Sequence, residues 1–99
     1  MTAYIVFQRD TTTDQQALDR YAERADSTFD GHDVQVLVDY GPHEVLEGPP
    51  IEGVVVVQFP DAAAAKDWYL GKEYQEVAQN RFQGATYRAV LVDGADAGA

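Results

Sequence analysis

The chain has 99 residues, no cysteine and a formal net charge of −10 at pH 7. Its length suits a single domain, and its acidic charge repels phosphate backbones and anionic lipid, so we expect neither nucleic acid nor a membrane as a partner. The lack of cysteine excludes disulfides, thiolate nucleophiles and zinc–thiolate sites, and is compatible with the reducing cytoplasm.

The first half of the chain predicts a strand, a helix and a second strand. Residues 3–9 are β-branched and aromatic, which is typical of a strand, and no signal-peptide pattern precedes them. The next segment shows the i, i+3/i+4 spacing of one buried helix face. Its apolar members are Ala17, Leu18, Tyr21, Ala22, Ala25 and Phe29. Gly31 ends this helix, and residues 33–40 predict the second strand.

The second half predicts strand, helix and strand after a loop rich in glycine and proline at 41–53. Residues 54–59 form the most apolar strand and hence the central one. The helical region that begins at Pro60–Asp61 is expected to bend or break at Gly71, and residues 86–93 form the last strand. No apolar run approaches the roughly 20 residues needed to cross a bilayer. We therefore expect a cytoplasmic protein.

The order β-α-β-β-α-β is the ferredoxin-like pattern, an α+β fold with a four-stranded antiparallel sheet and both helices on one face. We expect one such domain over residues 1–94 and a flexible tail at 95–99. Side chains alternate between the two faces of a strand. The face expected to meet the helices comprises Ile5, Phe7, Val34, Val36, Val38, Val55, Val57, Phe59, Tyr87, Ala89 and Leu91. The other face comprises Tyr4, Val6, Gln8, Gln35, Leu37, Asp39, Val54, Val56, Gln58, Arg88, Val90 and Val92.

The second face is half aliphatic, which is too apolar for a surface that stays in water. It predicts a homodimer in which two sheets pack face to face. Each strand also contributes at least one polar side chain to this face. These polar groups would line a small-molecule cavity or satisfy one another in a filled interface, and the sequence leaves both alternatives open.

Several short motifs follow one another in a definite order. They are Glu44–Gly48, Phe59–Pro60, Ala62–Ala65, Trp68–Tyr69, Glu73–Tyr74 and Arg81. Together they resemble the DUF1330 family over most of the chain. The resemblance implies the dimeric α+β barrel superfamily, whose fold and pairing agree with the strand faces. Superfamily relatives include cofactor-free monooxygenases of aromatic polyketides, muconolactone-type isomerases and heme-dependent enzymes, whereas DUF1330 itself has no general assigned activity.

The chain departs from the family pattern around the second strand. Members usually carry a Gly-Gly-Arg turn into this strand and another arginine near its end, where this chain has residues 33–35 and 39–40 without a cation. A Ser-Pro-Glu-Tyr motif is replaced by residues 71–74, of which only Glu73 and Tyr74 are retained. If the family arginines bind an anionic ligand, this chain is expected to bind something else.

Two arginines are placed by periodicity where their charge needs a partner. Arg81 lies on the buried stripe of the second helical region, and a buried guanidinium is costly unless it is paired. Glu73, Glu47 and a ligand carboxylate are the partners that the sequence offers. Arg88 and Asp39 share the second sheet face by alternation, where they would form an ion pair.

His32 and His43 flank the second strand, and histidine is the side chain whose unperturbed pKa lies nearest neutrality. With Asp39 they are the candidate catalytic residues. The candidate substrate-binding residues are Tyr4, Gln8, Gln35, Tyr40, Gln58, Trp68, Arg81 and Arg88. The spacing of histidines and carboxylates predicts no metal site, and no nucleotide, flavin or acyl-serine motif occurs, so we expect no cofactor.

The leading hypothesis is a cofactor-independent enzyme of isomerase or cyclase type. It would act by proton transfer on a small, largely apolar organic molecule, such as a secondary metabolite, held between the sheet and the helices. The alternative is a non-catalytic binding or dimerisation module. A further alternative, a cofactor-free monooxygenase of an electron-rich aromatic, depends on analogy with superfamily relatives.

Overall fold

A computed structural model describes residues 2–95. Its elements are β1 (Ala3–Thr12), α1 (Gln15–Ala25), a 3₁₀ turn (Asp26–Phe29), β2 (Gln35–Asp39), β3 (Gly53–Phe59), α2 (Ala62–Tyr69), α3 (Lys72–Gly84) and β4 (Ala85–Asp93). The strands form one antiparallel sheet in the order β2-β3-β1-β4. The ferredoxin-like α+β fold is therefore confirmed. The expected tail lies outside the described residues except for Ala95.

Aspartates cap the N-termini of α1 and α2. The Asp14 carboxylate accepts the backbone N–H of Gln16 at 3.1 Å, and the Asp61 carboxylate accepts that of Ala64 at 2.8 Å. These bonds satisfy amide groups that have no partner within the helix. No helix within residues 2–95 is long and apolar enough to cross a membrane.

Two glycines allow the close approaches that place the helices. A Cβ at Gly71 would lie 2.9 Å from the carbonyl oxygen of Asp67, which explains the predicted break between α2 and α3. A Cβ at Gly84 would lie 2.6 Å from Cδ2 of Leu18, so α1 packs closely on the end of α3. Because α1 packs chiefly on α3, it leaves the edge strand β2 uncovered, and Val36 is 43% exposed.

Trp68 on α2 is the centre of the core between the sheet and the helices. Its ring centroid lies 4.1 Å from that of Tyr74, 5.0 Å from Phe29 and 5.6 Å from Phe59. The indole Nε1–H donates to the hydroxyl of Thr28 at 3.0 Å, so the buried donor is satisfied. The core therefore ties α2 to the 3₁₀ turn, to α3 and to β3.

A bulge in β2 corrects the predicted faces of that strand. Val36 pairs with Val57, as alternation predicts, but after Leu37 the register shifts, and Val38 then pairs with Val56 while Asp39 pairs with Val55. One extra residue reverses the alternation of all that follows it. Asp39 therefore lies on the helix side of the sheet and Val38 on the opposite side.

The side of the sheet away from the helices is called here the open sheet face. By register its aliphatic members are Val6, Val38, Val54, Val56, Val90 and Val92. No element among the described residues covers them, and Val90 and Val92 are 54% and 47% exposed. The predicted second apolar face therefore exists in the folded chain, apart from the change at the bulge.

Candidate functional site

A cavity of about 350 Å³ lies between α1 and the helix side of the sheet. Its apolar surface comes from the sheet, from α1 and from the aromatic core. These lining residues are Phe7, Leu18, Ala22, Ala25, Phe29, Val36, Val55, Val57 and Trp68. The cavity exists because α1 packs on α3 and leaves β2 uncovered. Its volume is at the lower end of the range for small-molecule pockets.

Four polar side chains form a connected cluster at the cavity, which we call the tyrosine–arginine cluster. The hydroxyls of Tyr21 and Tyr74 lie 2.7 Å apart. Arg81 donates through Nε to the hydroxyl oxygen of Tyr74 at 3.2 Å and through Nη2 to that of Tyr69 at 3.3 Å. Tyr21 and Arg81 line the cavity, whereas Tyr74 is buried behind them.

The hydrogen bonds from Arg81 in this cluster have a fixed direction. The oxygen of Tyr74 accepts from Arg81, which can only donate. In the bond between Tyr21 and Tyr74 either hydroxyl can be the donor, and in one of the two arrangements Tyr74 donates and Tyr21 accepts. The hydroxyl proton of Tyr21 is then available to a group in the cavity, because no described residue other than Tyr74 bonds to that hydroxyl.

Burial keeps both of these tyrosines neutral. Desolvation raises the pKa of Tyr21 far above its ordinary value, and the neighbouring Tyr74 raises it further. Desolvation also raises the pKa of Tyr74, although Arg81 acts in the opposite direction. Since a buried phenol resists ionisation, Tyr21 remains a hydrogen-bond donor at neutral and moderately alkaline pH.

Arg81 is 3% exposed and is surrounded mainly by aromatic rings. The centre of its guanidinium lies 4.9 Å from the ring centroids of Tyr87 and Phe82 and 5.2 Å from that of Phe7. No carboxylate within residues 2–95 forms an ion pair with it. The intramolecular partners suggested by the sequence, Glu47 and Glu73, are therefore not its partners.

A second tyrosine pair closes another part of the cavity. Tyr40 follows β2 with φ 56°, a left-handed conformation that is uncommon for a bulky residue. Its hydroxyl bonds to the hydroxyl of Tyr87 on β4. The guanidinium of Arg9 lies 4.8 Å from the Tyr40 ring centroid and pairs with Glu52 at 3.1 Å. The Tyr40 side chain thus reaches across the helix side of β3 and β1.

Three acidic residues, Asp19, Asp26 and Asp39, line the cavity and are exposed to solvent. Asp19 and Asp26 belong to α1 and to the 3₁₀ turn, whereas Asp39 is fixed to the sheet by its register with Val55. A group held on a helix or a strand is positioned more precisely than one on a loop. Asp19 and Asp39 are therefore the cavity carboxylates held on regular elements, and Asp39 directly precedes Tyr40, which lines the same cavity.

The structure separates the predicted site residues into three groups. Asp39, Tyr40, Trp68 and Arg81 line the cavity. Tyr4, Gln8, Gln35, Gln58 and Arg88 lie on the open sheet face, so the expected pair of Asp39 with Arg88 is wrong. His32 and His43 lie in loops and do not line the cavity, and Nε2 of His43 bonds to the Ile51 carbonyl at 3.2 Å.

Several cavity residues were not among the sequence candidates. Arg9 is two residues beyond Phe7 on the same strand and therefore on the same face, a signal that was available. Periodicity places Tyr21 on the apolar stripe of α1 and Tyr87 on the helix side of β4, where packing is the ordinary role of a tyrosine. Periodicity identifies the face that a tyrosine occupies, but the partner of its hydroxyl depends on tertiary contacts.

The sequence matches the family described as a domain of unknown function, DUF1330, over residues 2–95. The chain belongs to the DUF1330 family. This membership confirms the resemblance carried by the motifs between Glu44 and Arg81. No curated protein is similar enough to match this DUF1330 chain.

Solved structures support the fold of this DUF1330 chain at low sequence identity. A protein of unknown function from Rhodopseudomonas palustris has 19% identity and a TM-score of 0.72, with 94% of this chain and 82% of that chain covered. A dimeric ferredoxin-like protein of unknown function from Jannaschia sp. CCS1 has 13% identity and a TM-score of 0.69, with coverage of 95% and 100%. SnoaB, a cofactor-independent oxygenase from Streptomyces nogalater, has 11% identity and a TM-score of 0.56, with coverage of 95% and 92%.

Proposed function

We propose that this DUF1330 chain is a cofactor-independent enzyme that catalyses an isomerisation or cyclisation by proton transfer. Its substrate would be a small, largely apolar organic molecule bound between α1 and the sheet. The observation that carries the proposal is the largely apolar cavity lined by Tyr21, whose hydroxyl can donate to a ligand when Tyr74 is the donor in the bond between the two tyrosines. Such a site combines apolar walls with a few convergent polar groups.

The proposed reaction begins with removal of a proton from a carbon next to a carbonyl group. Asp39 takes the proton, and the electron pair of the broken C–H bond moves onto the carbonyl oxygen to give an enolate. Tyr21 donates its hydrogen bond to this oxygen, with Tyr74 and Arg81 behind it to support the charge. Where a C=C bond is conjugated with the enolate, Asp39 returns the proton to the far carbon of the resulting dienolate, the double bond shifts, and the isomerisation is complete with the carboxylate regenerated.

Exchange of carbon-bound hydrogen tests this proposal without knowledge of the natural substrate. Phenylpyruvate and phenylacetone would be incubated with the protein in heavy water, and deuterium incorporation next to the carbonyl would be followed by NMR. We expect exchange above the buffer rate with at least one of them. Asp39→Asn and Tyr21→Phe should each lower that rate about a hundredfold.

Asp33→Asn is the matched control, because Asp33 is an exposed carboxylate close to β2 that does not line the cavity. It should exchange at the wild-type rate. Exchange no faster than in buffer with both ketones, or equal loss in all three variants, would contradict the proposal. His32→Ala and His43→Ala in the same assay test the histidines, which this scheme does not use.

Self-association is the second part of the proposal. Two chains would pair through the open sheet face, which is largely aliphatic and covered by no described element. The dimeric ferredoxin-like protein from Jannaschia sp. is a structural precedent. If this face alone carried the function, the protein would be a dimerisation module, and no ketone would exchange.

An oxygenase reaction is a separate candidate, favoured by the structural likeness to SnoaB. In this oxygenase reaction the electrons for oxygen would have to come from the substrate, an electron-rich phenol bound in the cavity, because the proposal includes no reacting groups of the protein other than its side chains. Oxygen uptake with candidate phenols measures this directly. Uptake that depends on Tyr21 and Asp39 would favour the oxygenase over the isomerase.

A further inference from the structure

Arg81 is a buried cation whose charge is not balanced within the described chain. The protein carries 17 acidic residues, but none within residues 2–95 forms an ion pair with this guanidinium. A charge at 3% exposure is costly unless it is paired. In such an acidic chain, a carboxylate partner would be easy to supply. The missing negative charge therefore points to a ligand.

The neighbouring tyrosines do not supply that charge. Arg81 bonds to the hydroxyls of Tyr74 and Tyr69, and burial raises the pKa of Tyr74 despite the guanidinium. A neutral phenol accepts a hydrogen bond but brings no negative charge. The aromatic rings around Arg81 give cation–π stabilisation, and the net charge of the group remains +1.

The guanidinium also has donors available to a ligand. Of its five N–H donors, one on Nε and one on Nη2 bond to tyrosines, and no described residue accepts from Nη1. Arg81 lines the cavity between α1 and the sheet, and it also lines a second cavity of about 400 Å³ beside β4 together with Tyr69 and Phe82. Space for an anion therefore adjoins the Arg81 side chain.

The charges at the cavity favour a ligand with a single negative charge over a more highly charged one. Arg81 and Arg9 are the cations among its lining residues, and Glu52 already pairs with Arg9 at 3.1 Å. Three exposed carboxylates, Asp19, Asp26 and Asp39, line the same cavity and repel additional negative charge. A phosphate ester would bring about two negative charges to one unpaired guanidinium. A carboxylate matches both the single charge and the planar fork of arginine.

We propose that the ligand of this cavity is a small carboxylic acid with a flat, unsaturated or aromatic body. Its carboxylate binds Arg81, and its body packs against Phe7, Val57 and Trp68, which line the same cavity. No residue of β2 is a cation, whereas Arg81 on α3 is a buried cation that lines the cavity. This inference names the substrate class of the proposed enzyme. Turnover of the acid rests on the proposed function, whereas binding of the acid does not.

Binding of an acid and its amide tests the proposal on the wild-type protein. Trans-cinnamate and cinnamamide have the same shape and differ in charge, and each would be titrated by calorimetry and by NMR. Cinnamate should bind about tenfold tighter or more, as for one charge-assisted pair, and should shift the Nε–H signal of Arg81. Equal affinities, or no binding of either compound, would overturn the proposal.

Matched variants locate the charge that is recognised. Arg81→Met should remove the preference for cinnamate, whereas Arg88→Gln, which removes a cation from the open sheet face, should retain it. Equal loss in both variants would overturn the assignment to Arg81. Should Arg81→Met fail to fold, the acid and amide titrations of the wild type still decide.

The two proposals fail in different ways. A preference for cinnamate without hydrogen exchange in any ketone would support the carboxylate site and contradict the enzyme. Exchange with equal binding of acid and amide would support the enzyme and overturn the carboxylate site.

Discussion

The ring of Tyr40 occupies the space in which a side chain at residue 53 would lie. A Cβ built on Gly53 would be 2.4 Å from Cδ1 of Tyr40, closer than atoms can pack without movement. Tyr40 reaches this place through its left-handed backbone and bonds to Tyr87 across the sheet. Glycine at residue 53 is therefore a condition for the Tyr40–Tyr87 pair.

Gly53→Ala should displace Tyr40, separate it from Tyr87 and lower the free energy of unfolding by about 1–3 kcal/mol, as other overpacked sites do. Urea unfolding measures the change. Gly41→Ala is the control, because a Cβ there meets no atom within 4 Å and its φ is not positive. Equal stability of the two variants would show that Tyr40 moves aside at no cost.

Thr28→Val should destabilise the protein by about 1–3 kcal/mol, because it leaves the buried indole N–H of Trp68 without an acceptor. Trp68 is the only tryptophan, so its fluorescence in urea reports both the unfolding and the local change. Thr86→Val on the exposed surface of β4 is the control and should change stability by less than about 0.5 kcal/mol. An emission maximum and stability unchanged in Thr28→Val would contradict the buried bond.

Stability should fall as the pH rises above about 10, the ordinary pKa of tyrosine. Burial raises the pKa values of Tyr21, Tyr40 and Tyr74 in the folded chain, so these phenols ionise first in the unfolded chain. The stabilisation is complete below the unfolded pKa and is lost as pH rises toward the folded values. Each tyrosine contributes a slope of at most about 1.4 kcal/mol per pH unit.

Urea unfolding at a series of alkaline pH values measures this slope, with absorbance of tyrosinate as a second readout. Tyr21→Phe should make the slope shallower. A folded protein in which all tyrosines titrate together near pH 10 would be inconsistent with the buried cluster.

Val90→Glu should prevent pairing of two chains, because it puts a charge on the open sheet face opposite Val6. Light scattering during gel filtration should give about twice 10.9 kDa for the wild type and 10.9 kDa for the variant. Leu70→Glu is the control, since Leu70 is 67% exposed on the helix side. A wild-type monomer at all concentrations would refute pairing through this face.

The strand and helix order was predictable because its signals are local. Alternating residues in β1, β3 and β4, the stripe of α1 and the break at Gly71 each follow from neighbours in sequence. The faces of these three strands were also correct. Pairing of the sheets stays a prediction, because a single chain shows only the face that would pair.

The site was less predictable, because its chemistry depends on contacts between distant residues. Asp39 was assigned to the wrong face since a bulge at Leu37 leaves no mark in the alternation of five residues. The link from Tyr21 to Tyr74 joins residues 53 positions apart, and nothing local distinguishes such a tyrosine from one that only packs. Arg81 could be recognised as buried, but its lack of an acidic partner required the fold.

The width of the cavity depends on Gly84, which does not line it, because Gly84 contacts Leu18 on α1. Any larger side chain at 84 would meet both the Leu18 side chain and its backbone nitrogen, and α1 would have to move away from α3. Because residues of α1 line the cavity, a substitution at residue 84 would change the cavity width with every lining residue retained. Engineering of a wider cavity should therefore begin at residue 84.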